Sequence, residues 1–300
     1  MRSRTFILIP FFLLFLSLSL HANTYFMLTE IGTSARTIGQ GYVEGFGSDS
    51  NSIFENPAGL HRVEKGAFAF FSTILMNEIE YRAFSMASSI PWGKIGLGYM
   101  EAVVTGIPRT VESGNRIVTL DTFDYRGTLF KVAYQTSFTS YWHVGASMVF
   151  YGTSFATISG SGMNIDVGSI LDFKPVMYSF FVRNPLRFNH VTFNTGRETL
   201  PLQLLGGLSV QLNPFSVLAQ LKNDSGTTLS FLGITYTPPA LPFIYVLGGR
   251  RDYKTLQDVR SNYTFGIGFS VEGFSFNTAY EKSEVVEFDH KIYFSMGLNY

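Results

Sequence analysis

The chain has 300 residues, of which 15% are charged and none is cysteine, and its 22 basic and 22 acidic side chains balance to a net charge of zero. Without cysteine there can be no disulfide, thiol nucleophile, thiolate metal site or lipidated N-terminal Cys, and no Lys/Arg cluster supports a nucleic-acid partner. The aromatic content of 16% and mean hydropathy of +0.16 suit a sheet with one face in lipid, or an aromatic-rich soluble β-sandwich.

Residues 1–22 have the pattern of a secretory signal peptide. Arg2 and Arg4 precede an apolar run from Phe6 to Leu20, and Ala22 offers a small residue for cleavage. This run is shorter than the about 20 apolar residues of a spanning helix. We therefore predict Sec-type export with cleavage near Ala22. Since no later stretch is long enough for a membrane helix, any membrane-spanning part must consist of strands.

Residues 23–65 differ from the rest of the chain. Gly, Ser, Asn and Asp recur through this stretch, and its apolar and polar residues do not alternate, which predicts a compact irregular segment. Within it, Asn56-Pro57 is a turn signal, because proline fixes its own φ and favours an extended residue before it.

From Gly66 onward, apolar and polar residues alternate with a period of two. In 261–271, for example, Tyr263, Phe265 and Ile267 share one face opposite Thr264 and Gly266, as expected for strands with one apolar face. Fourteen strands are predicted, near 66–76, 80–90, 93–104, 124–137, 141–156, 162–173, 176–184, 200–212, 214–223, 228–237, 242–252, 261–271, 273–282 and 288–300. The connections are short except near 101–123 and 185–199.

Three features favour lipid over a soluble core. The polar faces carry Gly, Ser, Thr, Asn and Gln rather than the Lys and Glu of a soluble surface. Aromatic residues occur in nearly every strand, as interfacial girdles require. The chain ends in a strand whose final residue is the aromatic Tyr300. We therefore predict an all-β fold: a transmembrane antiparallel β-barrel of about 14 strands over residues 66–300, preceded by a short hatch segment over 23–65.

Residues 32–60 resemble the N-terminal segment of the FadL superfamily of outer-membrane barrels, especially its PorV/PorQ-like branch. The resemblance rests on Ala35-Arg36, Gly39-Gln40-Gly41, Asp49 and Asn56-Pro57-Ala58-Gly59-Leu60. Downstream, Leu200-Pro201-Leu202-Gln203, Thr278-Ala279-Tyr280 and His290-Lys291 are similar to later strands of the family. The resemblance implies a fourteen-stranded barrel whose N-terminal segment folds inward as a hatch. Ser48, Tyr42 and Gly45 depart from the family pattern, and the chain leaves little room for large extracellular loops.

The hatch segment supplies the first set of candidate site residues. The predicted hatch and gating residues are Arg36, Gly39, Gly41, Asp49, Asn56, Pro57, Ala58 and Gly59. One interpretation is a latch, in which polar contacts between hatch and wall rearrange when a ligand arrives. The other is that these residues only hold the segment in its fold.

A second set is expected to line the lumen of the barrel. It consists of Lys131, Gln135, Asp166, Asp172, Gln203, Gln211 and Lys222. Asp166 and Asp172 lie six residues apart on one strand face, roughly 20 Å, which is too far for joint chemistry and favours a wet lumen. The Arg250-Arg251 pair could attract an anionic ligand, but a pair at a strand end is more often expected to face lipid headgroups. The histidines do not have the spacing of metal ligands, and no cofactor motif appears. His143 and Ser147 share a strand face, but they would lie about 13 Å apart, which is too far for a catalytic dyad.

Two functions follow from these expectations. The first is uptake of small hydrophobic molecules, such as fatty acids, across the bacterial outer membrane, gated by the hatch. The alternative is a PorV/PorQ-like accessory that binds the protein partners of a secretion machine at the cell surface. In both cases outer-membrane lipid is the surrounding partner, and no enzymatic activity or cofactor is expected.

Overall fold

In the computed structural model, residues 27–114, 116–186, 190–255, 258–282 and 291–300 are described. The strands are β1 Gly66–Leu75, β2 Ile79–Ile90, β3 Gly93–Ser113, β4 Arg116–Ser137, β5 Trp142–Phe155, β6 Ile158–Phe173, β7 Val176–Arg183, β8 His190–Phe193, β9 Gly196–Thr199, β10 Gln203–Leu212, β11 Phe215–Asp224, β12 Thr227–Tyr236, β13 Ile244–Lys254, β14 Val259–Val271, β15 Phe274–Lys282 and β16 Lys291–Asn299. Before them lie one α-helix, α1 (Ala35–Gly39), and three 3-10 helices at Leu28–Ile31, Ser50–Ile53 and Pro57–Arg62.

Fourteen antiparallel strands form a closed ring. Each strand pairs with its neighbours in the sequence, except that β7 pairs with β10 and the hairpin β8–β9 lies outside the ring, attached to β6. Pairing of β1 with β16, from Ala67↔Asn299 to Thr73↔Tyr293, closes the ring. Through this closure, each of the fourteen strands has a hydrogen-bonded neighbour on both sides. The predicted count of fourteen strands is confirmed.

The two faces of each strand differ in burial, as the alternation predicted. In β1, Ala67, Ala69 and Phe71 are buried, whereas the intervening Phe68 and Phe70 are 39% and 37% exposed. The same pattern continues around the ring, so the outer face is a continuous band of exposed apolar side chains. Such a band would be unfavourable in water but suits the hydrocarbon of a bilayer.

Aromatic residues concentrate at the end of the barrel that carries Gly66 and Tyr300, here called the terminal end. Trp92, Phe138, Tyr141 and Trp142 lie in or beside the turns at this end and are at least 42% exposed. The Tyr134 hydroxyl donates to the Trp92 carbonyl oxygen at 2.8 Å. Amphipathic rings at one level are typical of the boundary between lipid and water.

Both long connections expected from the sequence differ in the structure. The stretch 101–123 is mostly strand, because β3 and β4 continue as a paired ribbon to Ser113↔Arg116, with register shifts after Val104 and Arg109. Cross-strand bonds within the ribbon satisfy backbone groups that a loop would leave to water. The stretch 185–199 contains the β8–β9 hairpin. The predicted signal peptide and His290 lie outside the described residues.

Candidate functional site

Residues 27–65, here called the N-terminal segment, lie inside the ring of strands. Helix α1 contacts β13 to β16, Ser50–Ile53 contacts β1 to β4, and Pro57–Arg62 contacts β3 to β6. A segment that touches strands on opposite sides of a closed ring must occupy its interior. Its apolar residues join the inward faces of the strands in one buried cluster that includes Ile38, Ile53, Phe54 and Leu60. The interior of the barrel therefore has a packed core across part of its length.

Two neighbouring strands accept the backbone of the N-terminal segment at glycines. A Cβ on Gly249 would lie 2.1 Å from the Gly41 nitrogen, and a Cβ on Gly233 would lie 2.4 Å from the Gln40 carbonyl oxygen. Gly41 itself has a φ of +70°, which L side chains rarely adopt. The chain at residues 40–41 thus packs backbone against backbone, and any side chain on these wall positions would push it away.

Asn56 joins the N-terminal segment to β6 and β7. Its Oδ1 accepts from the Ala58 nitrogen at 3.0 Å and caps the 3-10 helix Pro57–Arg62. Its Nδ2 donates to the Ser179 hydroxyl at 2.8 Å and to the Phe180 carbonyl oxygen at 3.1 Å. The Asn56 side chain therefore caps the first turn of the 3-10 helix and also binds the N-terminal segment to the barrel wall.

Glu55 connects three parts of the N-terminal segment. Its carboxylate accepts from the hydroxyls of Thr33 and Thr37, at 2.9 and 2.6 Å, and from the Gly45 nitrogen at 2.9 Å. The side chain is 1% exposed, and every one of these donors is neutral. Burial raises the pKa of Glu55 to about 7, although the hydrogen bond from Thr37 opposes the rise. This carboxyl group therefore titrates near neutral pH.

The other predicted hatch residues do not form one constellation. Arg36 lies over the Tyr245 ring of β13 at 5.2 Å, and Asp49 accepts from the Asn51 nitrogen at 3.0 Å as the cap of Ser50–Ile53. Gly39 packs against Leu247 of the wall, and Gly59 packs against Ser52 within the segment. Among the described residues no ion pair joins Arg36 to Asp49. These contacts hold the segment together or anchor it, and whether they also gate passage stays a prediction.

Asp166 and Asp172 have different surroundings, and the expectation that both line a wet lumen is wrong for Asp166. Its Oδ2 lies 2.6 Å from the Lys131 Nζ, and both side chains are 1% exposed. Lys131 also donates to the Phe54 carbonyl oxygen at 3.4 Å, so the N-terminal segment covers the pair. Asp172 is half-buried near the terminal end.

The remaining predicted lumen residues lie near the two ends of the barrel. Lys222 donates to both Glu30 oxygens at 2.6 Å, and Gln203 donates to Glu30 at 2.8 Å, toward the end opposite the termini. Gln135 is buried and donates to the Ser137 hydroxyl at 3.0 Å. Gln211 is exposed at a strand end, where it borders a cavity of about 430 Å³ at the terminal end. Among the described residues of the predicted lumen set, the structure thus brings Lys131 and Asp166 together as an ion pair and Gln203 and Lys222 together on Glu30.

A charged cluster around Tyr42 was not predicted from the sequence. Arg251 stacks on the Tyr42 ring at 3.8 Å and pairs with Glu281 at 2.7 Å, while the Tyr42 hydroxyl donates to Glu281 at 2.9 Å. Tyr293 donates to the same carboxylate at 2.8 Å. Arg251 therefore points inward, and the expectation that it faces headgroups is wrong, whereas Arg250 pairs with Asp252 at 2.9 Å. The sequence carried a signal for this orientation, because Arg251 continues the series of alternate residues Tyr245, Leu247 and Gly249 that face inward.

A cavity of about 710 Å³ lies between this cluster and the end of the barrel opposite the termini. Its volume is within the roughly 300–1,000 Å³ range of small-molecule sites. The lining reaches the turns at that end through Met76 and Thr255, so the cavity extends to the rim. Its apolar wall is formed by Leu28, Ile31, Leu75, Ile79, Val104, Leu205, Leu229 and Phe231. Residues of the N-terminal segment form its floor, among them Thr29, Tyr42 and Glu44.

Several solved structures share the architecture of this chain. The Pseudomonas putida toluene transporter TodX is 12% identical to this chain, with 93% of this chain and 99% of that chain covered at a TM-score of 0.62. The chain has the fold of a FadL-type outer-membrane barrel. The Ralstonia pickettii toluene transporter TbuX matches at 14% identity over 90% of this chain and 98% of that one, with a TM-score of 0.58. A Pseudomonas aeruginosa FadL homologue matches at 11% identity over 89% and 98%, with a TM-score of 0.57.

These neighbours bear on the finer expectations in different ways. Two are described as toluene transporters and one as a FadL homologue, and they give no support to the PorV/PorQ branch suggested by residues 32–60. Neither a family model nor a curated protein matches the sequence. Within the described residues, no helix combines the length and apolar character needed to span a bilayer.

Proposed function

We propose that this FadL-type barrel takes up small hydrophobic molecules across the outer membrane and that its N-terminal segment acts as the hatch. The observation that carries the proposal is the cavity of about 710 Å³, with its apolar wall, floor on the N-terminal segment and connection to the rim. Structural neighbours described as toluene transporters support the same class of activity. In the proposed orientation the rim beside Met76 and Thr255 faces the outside of the cell.

The driving force for entry is transfer of the ligand from water to the apolar wall. An aromatic ring buries roughly 200 Å², which at about 25 cal/mol per Å² contributes about 5 kcal/mol before the entropic cost of binding. Residues such as Leu229 and Phe231 would provide this contact. That gain is enough to concentrate a dilute ligand in the cavity but small enough to allow its release.

Passage beyond the cavity requires the N-terminal segment to move. Ile38, Ile53, Phe54 and Leu60 fill the interior with no exposed surface, so a ligand at the cavity floor meets close-packed protein. Movement of residues 40–46 away from β10–β13 would connect the cavity to the second cavity at the terminal end, which Gln40 and Phe46 border. The N-terminal segment is thus both the floor of the proposed binding site and its proposed gate.

The test is uptake of labelled monoaromatic hydrocarbons and fatty acids by cells with and without the gene. Ala102→Phe places a large side chain in the cavity, whereas Val103→Phe places the same side chain on the adjacent position that faces the other way. We expect the first variant to reduce uptake and the second to retain it. Equal uptake with and without the gene across the whole panel would reject the proposal. Stoichiometric capture of envelope proteins from detergent would instead favour the accessory role.

A further inference from the structure

Three polar residues of β13 and β14 form a patch on the wall of the large cavity. Arg251 and Asn262 are directly opposite each other in the β13–β14 register, and Tyr253 is the next residue on the same face of β13. All three border the cavity. Residues two apart on a strand are separated by about 7 Å, so the three side chains share a small area of the wall.

Each residue of the patch has a buried polar atom without a hydrogen-bond partner. Within the described part of the chain these atoms are the Arg251 Nε, the Tyr253 hydroxyl oxygen and the Asn262 Oδ1. The Thr29 hydroxyl, on the floor of the same cavity, is a fourth. Most buried polar groups in proteins are paired, and leaving one unpaired costs about 1–3 kcal/mol. Such atoms gathered beside one cavity indicate a hydrogen-bonding partner from outside the protein.

The charges around the patch are already balanced by protein groups. The Arg251 guanidinium lies 2.7 Å from Glu281 through its Nη2, and Lys222 lies 2.6 Å from Glu30. A ligand carboxylate would have to displace one of these glutamates and then remain close to it, at a cost in desolvation and repulsion. The patch therefore favours a neutral polar group over an anionic one.

The unpaired atoms include both hydrogen-bond donors and acceptors, which is what a hydroxyl group requires. The Arg251 Nε–H donates, the Asn262 Oδ1 accepts, and the Tyr253 hydroxyl can do either. A ligand hydroxyl accepts one bond and donates another, so it can satisfy two of these atoms at once. We propose that the patch binds the hydroxyl of a neutral hydrophobic alcohol or phenol, whose apolar part occupies the rest of the cavity. This assignment rests on the proposed uptake function and specifies the class of molecule taken up.

The test compares three probes of the same ring size: toluene, benzyl alcohol and benzoate. Binding to the full-length protein in detergent is measured by calorimetry for wild type, Tyr253→Phe and Tyr263→Phe. Tyr263 is 55% exposed on the outer face and provides a matched control. We expect Tyr253→Phe to weaken benzyl alcohol about 3- to 10-fold, as loss of one hydrogen bond implies, and to leave toluene unchanged. The control should change neither affinity.

A second readout separates ligand recognition from a structural role. Because the Tyr253 hydroxyl makes no hydrogen bond to any residue that the structure describes, Tyr253→Phe should unfold at the same temperature as wild type or higher. The assignment would be overturned if benzoate bound as tightly as benzyl alcohol. It would also be overturned if Tyr253→Phe weakened the binding of toluene and benzyl alcohol equally. Binding of toluene alone would do the same while the uptake function stands. Failure of all three probes to bind or to enter cells would reject both.

Discussion

The Lys131–Asp166 ion pair tests whether the barrel interior is dry at the level of Phe54. The two side chains are 1% exposed and 2.6 Å apart, and Asp166 also accepts from the Asn184 nitrogen at 3.2 Å. Asp166→Asn would leave the Lys131 ammonium buried close to Arg183 without its counter-charge. Breaking one side of a buried pair costs about 3–5 kcal/mol, and we expect a loss of that size in the free energy of unfolding.

Urea unfolding in lipid vesicles, followed by the fluorescence of the two tryptophans, gives the measurement. Neutralising both partners in Lys131→Met/Asp166→Asn should recover most of the loss, because no uncompensated charge remains. The matched control is Glu80→Gln, since the Arg82–Glu80 pair is about half exposed on both sides and should contribute less than about 1 kcal/mol. If Asp166→Asn costs no more than this control, the pair is hydrated and the packed interior is refuted.

Three further predictions concern the N-terminal segment, with hydrogen exchange of residues 27–65 as the measurement. Gly249→Ala should displace the segment and speed exchange, because the new Cβ would lie 2.1 Å from the Gly41 nitrogen, whereas the adjacent Gly248→Ala meets only ordinary contact and should have no effect. The pKa of Glu55 is raised by burial to about 7, so its contribution to docking, measured as the difference between wild type and Glu55→Gln, should be largest below pH 4.5, fall by up to about 3 kcal/mol as the pH rises to 7, and level off above it. Because the lowered pKa of His61 acts in the opposite direction over the same range, the difference between the two proteins is the test, and a difference that does not change with pH would contradict the assignment. Asn56→Ala removes the bonds to Ser179 and Phe180 and should weaken docking by about 1–3 kcal/mol, so unchanged exchange would show that these contacts are dispensable.

The architecture could be predicted because it depends on local periodicity. Along β1, for example, Phe68 and Phe70 alternate with Ala67 and Ala69. This alternation shows which residues share a face, even when the neighbouring strands are unknown. The extension of β3 and β4 to Ser113 and Arg116 was missed because the register shifts interrupt the alternation there.

The polar clusters inside the barrel could not be predicted in the same way. Tyr42 and Glu281 meet although they lie 239 residues apart in the chain, and no local pattern selects Glu281 as the partner. The role of Gly249 was also hidden, because a glycine on a polar face resembles any other small residue until the N-terminal segment is placed against it. Asn56 was identified as a turn residue, but its bonds to the wall depend on how β6 and β7 are positioned in the closed ring.

The most direct test of hatch gating is uptake with the N-terminal segment covalently fixed to the wall. The protein has no cysteine, and a Cβ built on Gly39 lies 3.1 Å from the Leu247 Cβ, so a small outward shift would reach the about 3.5–4.5 Å of a disulfide. With Gly39→Cys/Leu247→Cys oxidised, and the cross-link verified by mass spectrometry, we expect uptake to stop and to return on reduction, while each single variant transports in both conditions. Equal uptake by the oxidised and reduced double variant would contradict gating by the N-terminal segment.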